Sequence, residues 1–392
     1  MNDISQTITS PAGPAPIVTR ERAAVALLFF LNGLVIGAWA PKIPFFSQAL
    51  GLSELMLGVM IFVFGVGSLV LMPIAGMQIA RHGSNRVVQV TTLLYIPTIV
   101  LLTVVDSIWA GVIAIFLFGG LTGAMDVAMN ANAVEVESRL GRAIMSSSHG
   151  FWSLGGFVGS ALGGLALARY GAEVQAIGVG VVCRAVVAVA IRFLIGDGPG
   201  PSRETGHRHA ALLPRDLGLW LLGLMAFLSM IPEGAVLDWG AIYLGKDYGA
   251  GIAGASLAFA LFSAAMAVMR FSGDAIRNKF GAVRTLRVSG LIGAAGLMMA
   301  ALSPEAWMVT AGFAISGIGV ANMVPIMFSA AGNQPGHGAG IGIATVTMVG
   351  YSGILVAPSS IGFVAEAIGF PVTFGTLSVL LVLVAALADR AA

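Results

Sequence analysis

Long apolar runs, separated by short polar stretches, constrain this chain more than any other feature of its sequence. Twelve of them approach or exceed the roughly 20 residues that an α-helix needs to cross a bilayer. We number them spans 1 to 12, and they cover approximately residues 22–46, 52–80, 86–105, 108–136, 143–169, 172–195, 216–244, 250–277, 284–302, 305–331, 338–366 and 370–389. The sequence therefore predicts an all-α membrane protein with twelve transmembrane helices.

The composition excludes several classes of protein. The chain is 57% hydrophobic and only 10% charged, with a mean hydropathy of +0.94, whereas soluble domains are about 25% charged. The formal net charge of +2 is small and dispersed, which argues against a nucleic-acid partner. Cys183 is the single cysteine, so an internal disulfide and a cysteine metal cluster are excluded. His207 and His209 are read as ordinary polar residues of a loop, and we expect no metal site and no cofactor.

A weak internal repeat divides the chain into two halves. The segment Gly76–Arg86 returns as Asp274–Arg284, and matching Gly83 to Gly281 gives an offset of 198 residues. Three other pairs agree with this offset to within two residues: Gly123 with Gly319, Gly171 with Gly369, and Trp39 with Trp239. Repeats of this kind are typical of membrane transporters that hold a site between their halves. We therefore expect two pseudo-symmetric six-helix bundles.

The polar segments set the domain boundaries and the orientation. Residues 1–21 form a polar N-terminal tail that lacks the basic region of a cleaved signal peptide. The bundles occupy residues 22–195 and 216–392, and residues 196–215 form a polar loop between them. With twelve spans, both termini lie on the same side of the membrane. Fifteen Lys and Arg residues fall on that side, and three fall on the other. The positive-inside rule therefore places the tail, the central loop and both termini in the cytoplasm.

The loop between spans 2 and 3 carries a recognisable motif. It resembles the sequence G-x-x-x-D-R-x-G-R-[RK] of the major facilitator superfamily, although Ala80 replaces the aspartate and Ser84 and Asn85 replace the basic pair. In the second copy, Asn278 stands in the aspartate position. The resemblance thus implies the place of this loop in the fold but not the acidic lock of the family. By the resemblance, the conformational-loop residues are Gly76, Arg81, Gly83, Arg86, Lys279 and Gly281.

The resemblance covers nearly the whole chain. The stretches 123–137, 147–160 and 233–244 are similar to bacterial permeases related to the fucose-permease branch, and span 5 lacks the Gly-Pro pair that is typical of drug antiporters. The resemblance implies a monomeric, multi-pass transporter of the bacterial inner membrane that works by alternating access of its halves. It also implies that spans 1, 4, 7 and 10 line a central cavity.

Titratable residues within the spans are candidates for proton coupling. A charged side chain at the centre of a membrane helix costs about 2.5–3.5 kcal/mol, so such residues usually face a cavity or a partner. Asp126 and Asn130 lie one turn apart on span 4, and His149 on span 5 lies at a depth that allows contact with Asp126. The proton-coupling candidates are Asp126, His149 and Glu135. The alternatives are a helix-tying hydrogen bond for Asp126, a capping role for His149 and a salt-bridged helix end for Glu135.

A second set of polar and aromatic residues forms the candidate substrate site. Pro232 is expected to loosen span 7 next to Glu233, and broken spans are where transporters place their sites. Asn322 occupies the position that an offset of 196 relates to Asp126. The substrate-binding candidates are Asn32, Trp39, Asn130, Trp152, Glu233, Asp238, Asn322 and Tyr351. The aromatic members are equally suited to packing, and Asp238 is equally suited to the outer aqueous boundary.

These features favour a secondary active transporter. No Walker-type phosphate loop is present, so direct use of ATP is unsupported. We predict proton-coupled movement of a small polar solute, such as a sugar or a related metabolite, with the solute, protons and the lipid bilayer as partners. The alternatives are an exporter of drugs or metabolites by proton antiport, and a non-transporting membrane sensor that keeps the fold. An enzyme is disfavoured because no nucleophile–base pair or metal-ligand group is evident.

Arg184, in the middle of span 6, fits several roles. It can pair with a carboxylate on another span, bind an anionic substrate or extend along the helix to the membrane surface. The sequence alone does not choose between these three roles.

Overall fold

The computed structural model describes residues 19–140, 144–196, 216–332 and 339–391, and these residues are almost entirely helical. No β-strand occurs among them. Nine helices in this described part are long and apolar enough to cross a membrane. Most of the predicted N-terminal tail and central loop, including His207 and His209, lies outside the described residues.

The first half contains spans 1 to 6. Span 1 comprises Arg20–Trp39 and Ile43–Ala49, joined by the 3-10 turn Ala40–Lys42, and span 2 is Glu54–His82. Span 3 comprises Ser84–Tyr95 and Thr98–Val104, and it is divided at Pro97, which has no N–H group to continue the helix. Span 4 is Ile108–Leu140. Spans 5 and 6 share Met145–Ala190, which is divided at the non-helical Gly171, and span 6 ends with the 3-10 turn Ile191–Phe193.

The second half contains spans 7 to 12. Spans 7, 8 and 9 are Leu217–Tyr248, Ile252–Phe280 and Ala282–Leu302. Span 10 comprises Ala306–Val320 and Met323–Gly332. Spans 11 and 12 are Ala339–Ile368 and Phe370–Ala386, followed by the 3-10 turn Ala388–Ala391. The predicted architecture of twelve spans is confirmed.

In the second half, span 7 is continuous, whereas span 10 is interrupted at a site candidate, Asn322. Pro232 lies inside the continuous helix Leu217–Tyr248, because a proline removes a single N–H donor and a long packed membrane helix tolerates that loss. A turn at Ala321 and Asn322 divides span 10 instead. The expectation that Pro232 breaks span 7 is therefore wrong.

The internal repeat is visible in the backbone at three turns. Three pairs of glycines, each 198 residues apart, have nearly the same positive φ: Gly51 and Gly249 (62° and 63°), Gly83 and Gly281 (80° each), and Gly171 and Gly369 (84° and 83°). Glycine adopts positive φ without the steric cost that a Cβ imposes. Equivalent turns of the two halves therefore use the same backbone geometry at the same residue type.

Contacts inside the helices repeat at the same offset. A Cβ added to Gly119 would lie 2.1 Å from the carbonyl oxygen of Phe64, and one added to Gly317 would lie 2.4 Å from the carbonyl oxygen of Phe262. Both members of the second pair follow those of the first by 198 residues. Spans 2 and 4 therefore meet in the same way as spans 8 and 10.

The pairing of residues at an offset of 196 is wrong. Gly123 packs against span 2 whereas Gly319 packs against span 9, so the two are not equivalent. A shift of two residues turns a position by about 200° around a helix, which moves it to the opposite face. Asn322 is therefore not the repeat mate of Asp126, and Val324 occupies that position.

The two halves meet along spans 5 and 8 and along spans 2 and 11. Ser160 Oγ of span 5 donates to the carbonyl oxygen of Ser256 of span 8 at 2.7 Å. Glu366 Oε2 of span 11 accepts from the backbone N–H of Leu55 of span 2 at 2.7 Å. The interface thus contains polar contacts as well as apolar packing.

The bundle has two distinguishable ends. Arg20 and Ala391 lie at one end, which we call the terminal end, and the Leu55–Glu366 contact lies at the other, which we call the opposite end. Between the two ends, large apolar side chains such as those of Leu94 and Leu162 are exposed on the outside of the bundle. Exposed apolar side chains in such number are expected where a protein faces lipid.

Candidate functional site

A charged cluster, formed by Arg270, Glu233 and Ser153, joins the two halves in the interior of the bundle. We call it the Arg270 cluster. Arg270 of span 8 donates through Nη1 to Ser153 Oγ of span 5 at 2.7 Å, and through Nη2 to Glu233 Oε2 of span 7 at 3.3 Å. The Arg270 side chain is 15% exposed and the Glu233 side chain is 27% exposed. Because Ser153 belongs to the first half and Glu233 to the second, the Arg270 guanidinium bonds to both halves.

Trp152 and Asn32 extend this cluster toward span 1. Trp152 Nε1 donates to Asn32 Oδ1 at 2.8 Å, and Arg270 Cζ lies 6.0 Å from the centroid of the Trp152 ring. Asn32 Nδ2 is buried and has no hydrogen-bond partner among the residues that the structure describes. A buried donor without a partner costs about 1–3 kcal/mol, so this amide is a strong candidate to bind a solute oxygen.

Glycines bring spans 1 and 5 close enough for this contact. A Cβ added to Gly33 would lie 1.9 Å from the carbonyl oxygen of Trp152, and one added to Gly37 would lie 2.3 Å from the carbonyl oxygen of Gly156. Small residues at such positions let membrane helices approach at backbone distance. The position of Trp152 beside Asn32 therefore depends on these glycines.

His149 belongs to the neighbourhood of the cluster. It lies three and four residues before Trp152 and Ser153, and so on the same side of span 5. Its ring meets that of Phe29 of span 1 edge-on, with centroids 5.1 Å apart. It also lies within electrostatic range of the Arg270 guanidinium. The structure thus groups His149 with Arg270.

Asp126 and Asn130 pair with each other on span 4. Asn130 Nδ2 donates to the carbonyl oxygen of Asp126 at 2.9 Å and to Asp126 Oδ1 at 3.2 Å. Asp126 is half-buried. Among the described residues, no hydrogen bond or ion pair joins Asp126 to His149, so the contact that their depths allow is not formed.

Glu135 lies in an ion pair near the terminal end. Its Oε1 accepts from Arg139 Nε at 2.8 Å within span 4, and the two side chains are 39% and 50% exposed, respectively. This is the salt-bridged helix end that the alternative interpretation expects. A part for Glu135 in proton coupling stays a prediction.

Three further substrate candidates occupy different surroundings. Trp39 is 3% exposed and packs edge-on against Phe46, with centroids 5.4 Å apart. Asn322 Nδ2 donates at 3.1 Å to the carbonyl oxygen of Met269, which precedes Arg270 in the chain. The side chain of Tyr351 lies outside the described part of the structure. Asn322 thus adjoins the cluster, whereas Trp39 is a packing residue in this structure.

Two charged residues of the spans lie away from the cluster. Asp238 of span 7 is buried, five residues beyond Glu233 toward the opposite end. Arg184 of span 6 is exposed although its neighbour Cys183 is fully buried. The Arg184 side chain therefore points out of the bundle, which favours its extension toward the membrane surface.

The motif loop and its repeat occupy the terminal end. Gly83 and Gly281 precede spans 3 and 9 with φ of 80° and ψ of 159° and 161°. A Cβ added to Gly76 would meet no atom within 4 Å. The charged members of the set are all exposed: Arg81, Arg86 and Lys279.

Arg270 and Ser153 are site residues that the sequence analysis did not select. Arg270 lies well inside span 8 rather than at its end, and a charge at such a depth is a usable signal. Its partners Glu233 and Ser153 are 37 and 117 residues away along the chain, so no local pattern connects them.

Comparisons with known proteins point to a single family. The family model described as Major Facilitator Superfamily matches residues 25–358. An uncharacterized MFS-type transporter from Yersinia pestis is 35% identical over 370 residues, which are 93% of this chain and 94% of that protein. The solved structure of a single-residue mutant of the nucleoside transporter NupG has a TM-score of 0.74 and 13% identity, covering 94% of this chain and 99% of that chain. The structure of a single-residue variant of the E. coli fucose:proton symporter FucP has a TM-score of 0.64 and 18% identity, covering 95% of this chain and 98% of that chain.

Proposed function

Because this chain belongs to the Major Facilitator Superfamily, and its relatives are transporters rather than enzymes, we propose that it is a secondary active transporter of a small polar solute. The solute, such as a sugar or a related metabolite, binds between the halves at the Arg270 cluster. The observation that carries the proposal is the bonding of Arg270 to both Ser153 and Glu233. A solute that competes for these bonds changes how the halves are held, which is the requirement for alternating access.

The chemistry of the cluster suits a solute rich in hydroxyl groups. A hydroxyl group both donates and accepts hydrogen bonds. The Glu233 carboxylate offers acceptors, the Asn32 amide offers an unpaired donor, and the Trp152 indole offers an apolar face. The fucose and nucleoside transporters with this fold carry names that point to hydroxyl-bearing solutes.

Protons are the proposed driving ion, with Asp126 as their carrier. An ionised carboxylate within a span costs about 2.5–3.5 kcal/mol, and binding a proton removes that charge. The bonds found for Asp126 come from a neutral amide of the same helix, so no cation among the described residues compensates it. His149 and Glu135 are secondary candidates for proton transfer toward the terminal end.

The proposed orientation places the terminal end in the cytoplasm of a bacterial cell, with the protein acting as a monomer in the inner membrane. The excess of Lys and Arg at that end supports it. The opposite end then faces the outside. The contacts of Glu366 with Leu55 and of Ser160 with Ser256 close the bundle on that side.

Transport by purified protein in proteoliposomes tests the proposal. We expect one or more sugars or related metabolites to accumulate only when a pH gradient is imposed, and a protonophore to abolish the accumulation. Liposomes without protein are the control for leakage. Accumulation that ignores the pH gradient would exclude proton coupling. Loading the same solutes inside the liposomes and measuring efflux distinguishes uptake from the alternative, export by proton antiport.

A further inference from the structure

Asp238 is a buried carboxylate to which the proposed mechanism assigns no role. It is 9% exposed on span 7, and no hydrogen bond or ion pair to its side chain is found among the described residues. Asp126 at least receives a bond from Asn130, whereas Asp238 has no such donor. A buried ionised carboxylate without a partner is strongly disfavoured, so this group must either bind a cation or carry a proton.

A groove of about 470 Å³ lies between the halves at the opposite end. Its walls come from spans 1, 2, 5, 7 and 8. At its mouth Gln48, Gly245 and Ile252 are exposed, whereas at its floor Leu57 and Ala241 are buried. The groove therefore runs inward from the surface and ends in the interior of the bundle.

Helical register places Asp238 directly beneath this floor. Span 7 lines the groove with Ala241, Ile242 and Gly245, which follow Asp238 by three, four and seven residues. Residues at these spacings share one face of a helix. Asp238 is thus the next residue inward on the face that lines the groove, about one turn, or about 5 Å, below Ala241.

Other charged groups near Asp238 already have partners of their own. At the rim, Lys246 pairs with Glu54, and Glu366 accepts from the backbone of Leu55. Deeper in the bundle, Glu233 pairs with Arg270. On span 1, Lys42 donates to Thr103 Oγ1 and to the carbonyl oxygen of Ala172. Spans 10 and 12 hold no Asp, Glu, His, Lys or Arg, and Arg270 is the sole such residue in span 8 before Asp274.

We propose that Asp238 is a second proton-binding carboxylate and that the groove is its route to the outside of the cell. In this step a hydronium ion in the groove gives its proton to an Oδ of Asp238 and leaves as water, and the carboxylate becomes a neutral carboxylic acid. This inference rests on the proposed proton coupling and on the proposed orientation. It assigns each half one proton-binding acid, Asp126 on span 4 and Asp238 on span 7.

Infrared spectroscopy of the purified protein in lipid tests the site without any transport assay. In an Asp126→Asn background, which removes the other proposed proton-binding acid, we expect a carboxylic-acid C=O band that titrates with the pH of the medium, shifts in heavy water and is lost when Asp238→Asn is added. Asp238→Glu should keep a shifted band, and Glu54→Gln, which changes an acid at the rim, should leave it unchanged. A titrating band that survives in the double variant Asp126→Asn with Asp238→Asn overturns the proposal.

Filling the groove tests the route. Gly245 is exposed at the mouth, and a Cβ there would meet its nearest atom at 3.9 Å, so a side chain can begin there without a clash and Gly245→Trp is the variant chosen to fill the groove. We expect the heavy-water shift of the Asp238 band to be several times slower in Gly245→Trp. Gly254→Trp, at an exposed glycine of the same end that does not line the groove, is the control. Equal exchange rates in the two variants overturn the route.

Transport then separates this proposal from the proposed function. In Asp238→Asn we expect solute exchange to continue and gradient-driven accumulation to fail. Accumulation at the wild-type level in this variant overturns the coupling role of Asp238. Uptake that ignores the pH gradient in the wild type, with the titrating band present, overturns the proposed coupling and leaves the proton site in place.

Discussion

At the scale of single residues, Arg270 explains how this membrane interior tolerates charge. A guanidinium is a planar fork whose donors point in fixed directions. Arg270 uses two of them, one toward Glu233 of its own half and one toward Ser153 of the other. The Glu233 charge is therefore paired, and the spare donor connects the halves.

Removing the Arg270 guanidinium should abolish uptake. Arg270→Gln leaves Glu233 without its cation, and Arg270→Lys supplies charge without the fork, so we expect solute affinity to fall at least about tenfold, or about 1.4 kcal/mol, in both. Solute binding to purified protein measures this effect. Arg287→Gln removes one partner of an exposed pair with Asp389 and is the control. Wild-type affinity in Arg270→Lys would contradict a role for the paired donors.

A double variant separates this role from structural stability. Arg270→Gln alone leaves a charge unpaired, and breaking a buried pair costs up to about 3–5 kcal/mol, less where water reaches it. We expect a lower melting temperature in Arg270→Gln and its recovery in Arg270→Gln with Glu233→Gln, while transport stays lost in both. Thermal unfolding followed by fluorescence is the measurement. A double variant less stable than the single one would show that the residues are not coupled.

Replacing the carboxylate of span 4 should uncouple transport from protons. Asp126→Asn keeps the shape of the side chain and its helix, so we expect insertion and folding to be intact and gradient-driven accumulation to be lost. Glu173→Gln is the control, because Glu173 is an exposed acid of the same half to which no coupling role is assigned. Concentrative uptake at the wild-type rate in Asp126→Asn would exclude Asp126 as the carrier.

At the scale of helices, glycine performs two separable tasks in this protein. At Gly83 it supplies a backbone with φ of 80° and ψ of 159° at the turn between spans 2 and 3. At Gly164 it supplies space, because an added Cβ would lie 2.1 Å from Ser256 Oγ on span 8. The first task concerns folding and the second concerns the closure of the halves.

Replacing Gly83 at the turn should lower the stability of the protein, whereas replacing Gly76 in the same motif should not. The conformation of Gly83 is nearly inaccessible to residues with a Cβ, so we expect Gly83→Ala to cost about 1–3 kcal/mol of stability. Gly76→Ala is the control, since Gly76 is helical with open space around it and alanine favours helices by about 1 kcal/mol. Melting temperatures measure both. Equal stability of the two variants would contradict the assignment.

A larger residue at Gly164 should hold the opposite end open. We expect Gly164→Leu to wedge spans 5 and 8 apart there and to speed the labelling of a cysteine placed at Leu57, on the groove floor. Background is low because the native Cys183 is fully buried. Gly178→Leu on span 6, where an added Cβ meets nothing within 4 Å, is the control. Labelling no faster than in the control would show that this contact does not govern closure.

At the scale of the whole molecule, the opposite end is held shut by a small number of bonds between the halves. Lys246 of the second half pairs with Glu54 of the first, and Glu366 accepts from the backbone of Leu55. Exposed pairs contribute about 0.2–1 kcal/mol each. Bonds of this size suit a gate, because a solute or a proton can outweigh them.

Neutralising this gate should shift the equilibrium by a modest factor toward the form that is open at the opposite end. We expect Glu54→Gln to raise the open population by up to about fivefold, which corresponds to about 1 kcal/mol, and the cysteine at Leu57 to label faster in proportion. Exchanging the charges, with Glu54→Lys and Lys246→Glu together, should restore slow labelling. Failure of the exchanged pair to slow labelling would show that the pair does not hold the gate.

The sequence by itself determined the features that depend on local composition and periodicity. Twelve spans, two halves, the turn at Gly83 and its mate Gly281, and the superfamily all follow from apolar runs, a repeat and a motif. The spans can be predicted because crossing a bilayer requires a continuous apolar helix of fixed minimum length. The turns can be predicted because Gly83 and Gly281 stand where the chain needs a residue that adopts positive φ.

Only the tertiary structure decided which helix faces meet. The link from Glu233 through Arg270 to Ser153 depends on the packing of three spans, and no spacing in the chain encodes it. Small errors of register are decisive here. Pairing Asn322 with Asp126 uses a repeat offset of 196 residues rather than 198, and this difference selects the wrong face of span 10. A side chain reaches its partners through the rotation of its helix, and that rotation is fixed by contacts with distant parts of the chain.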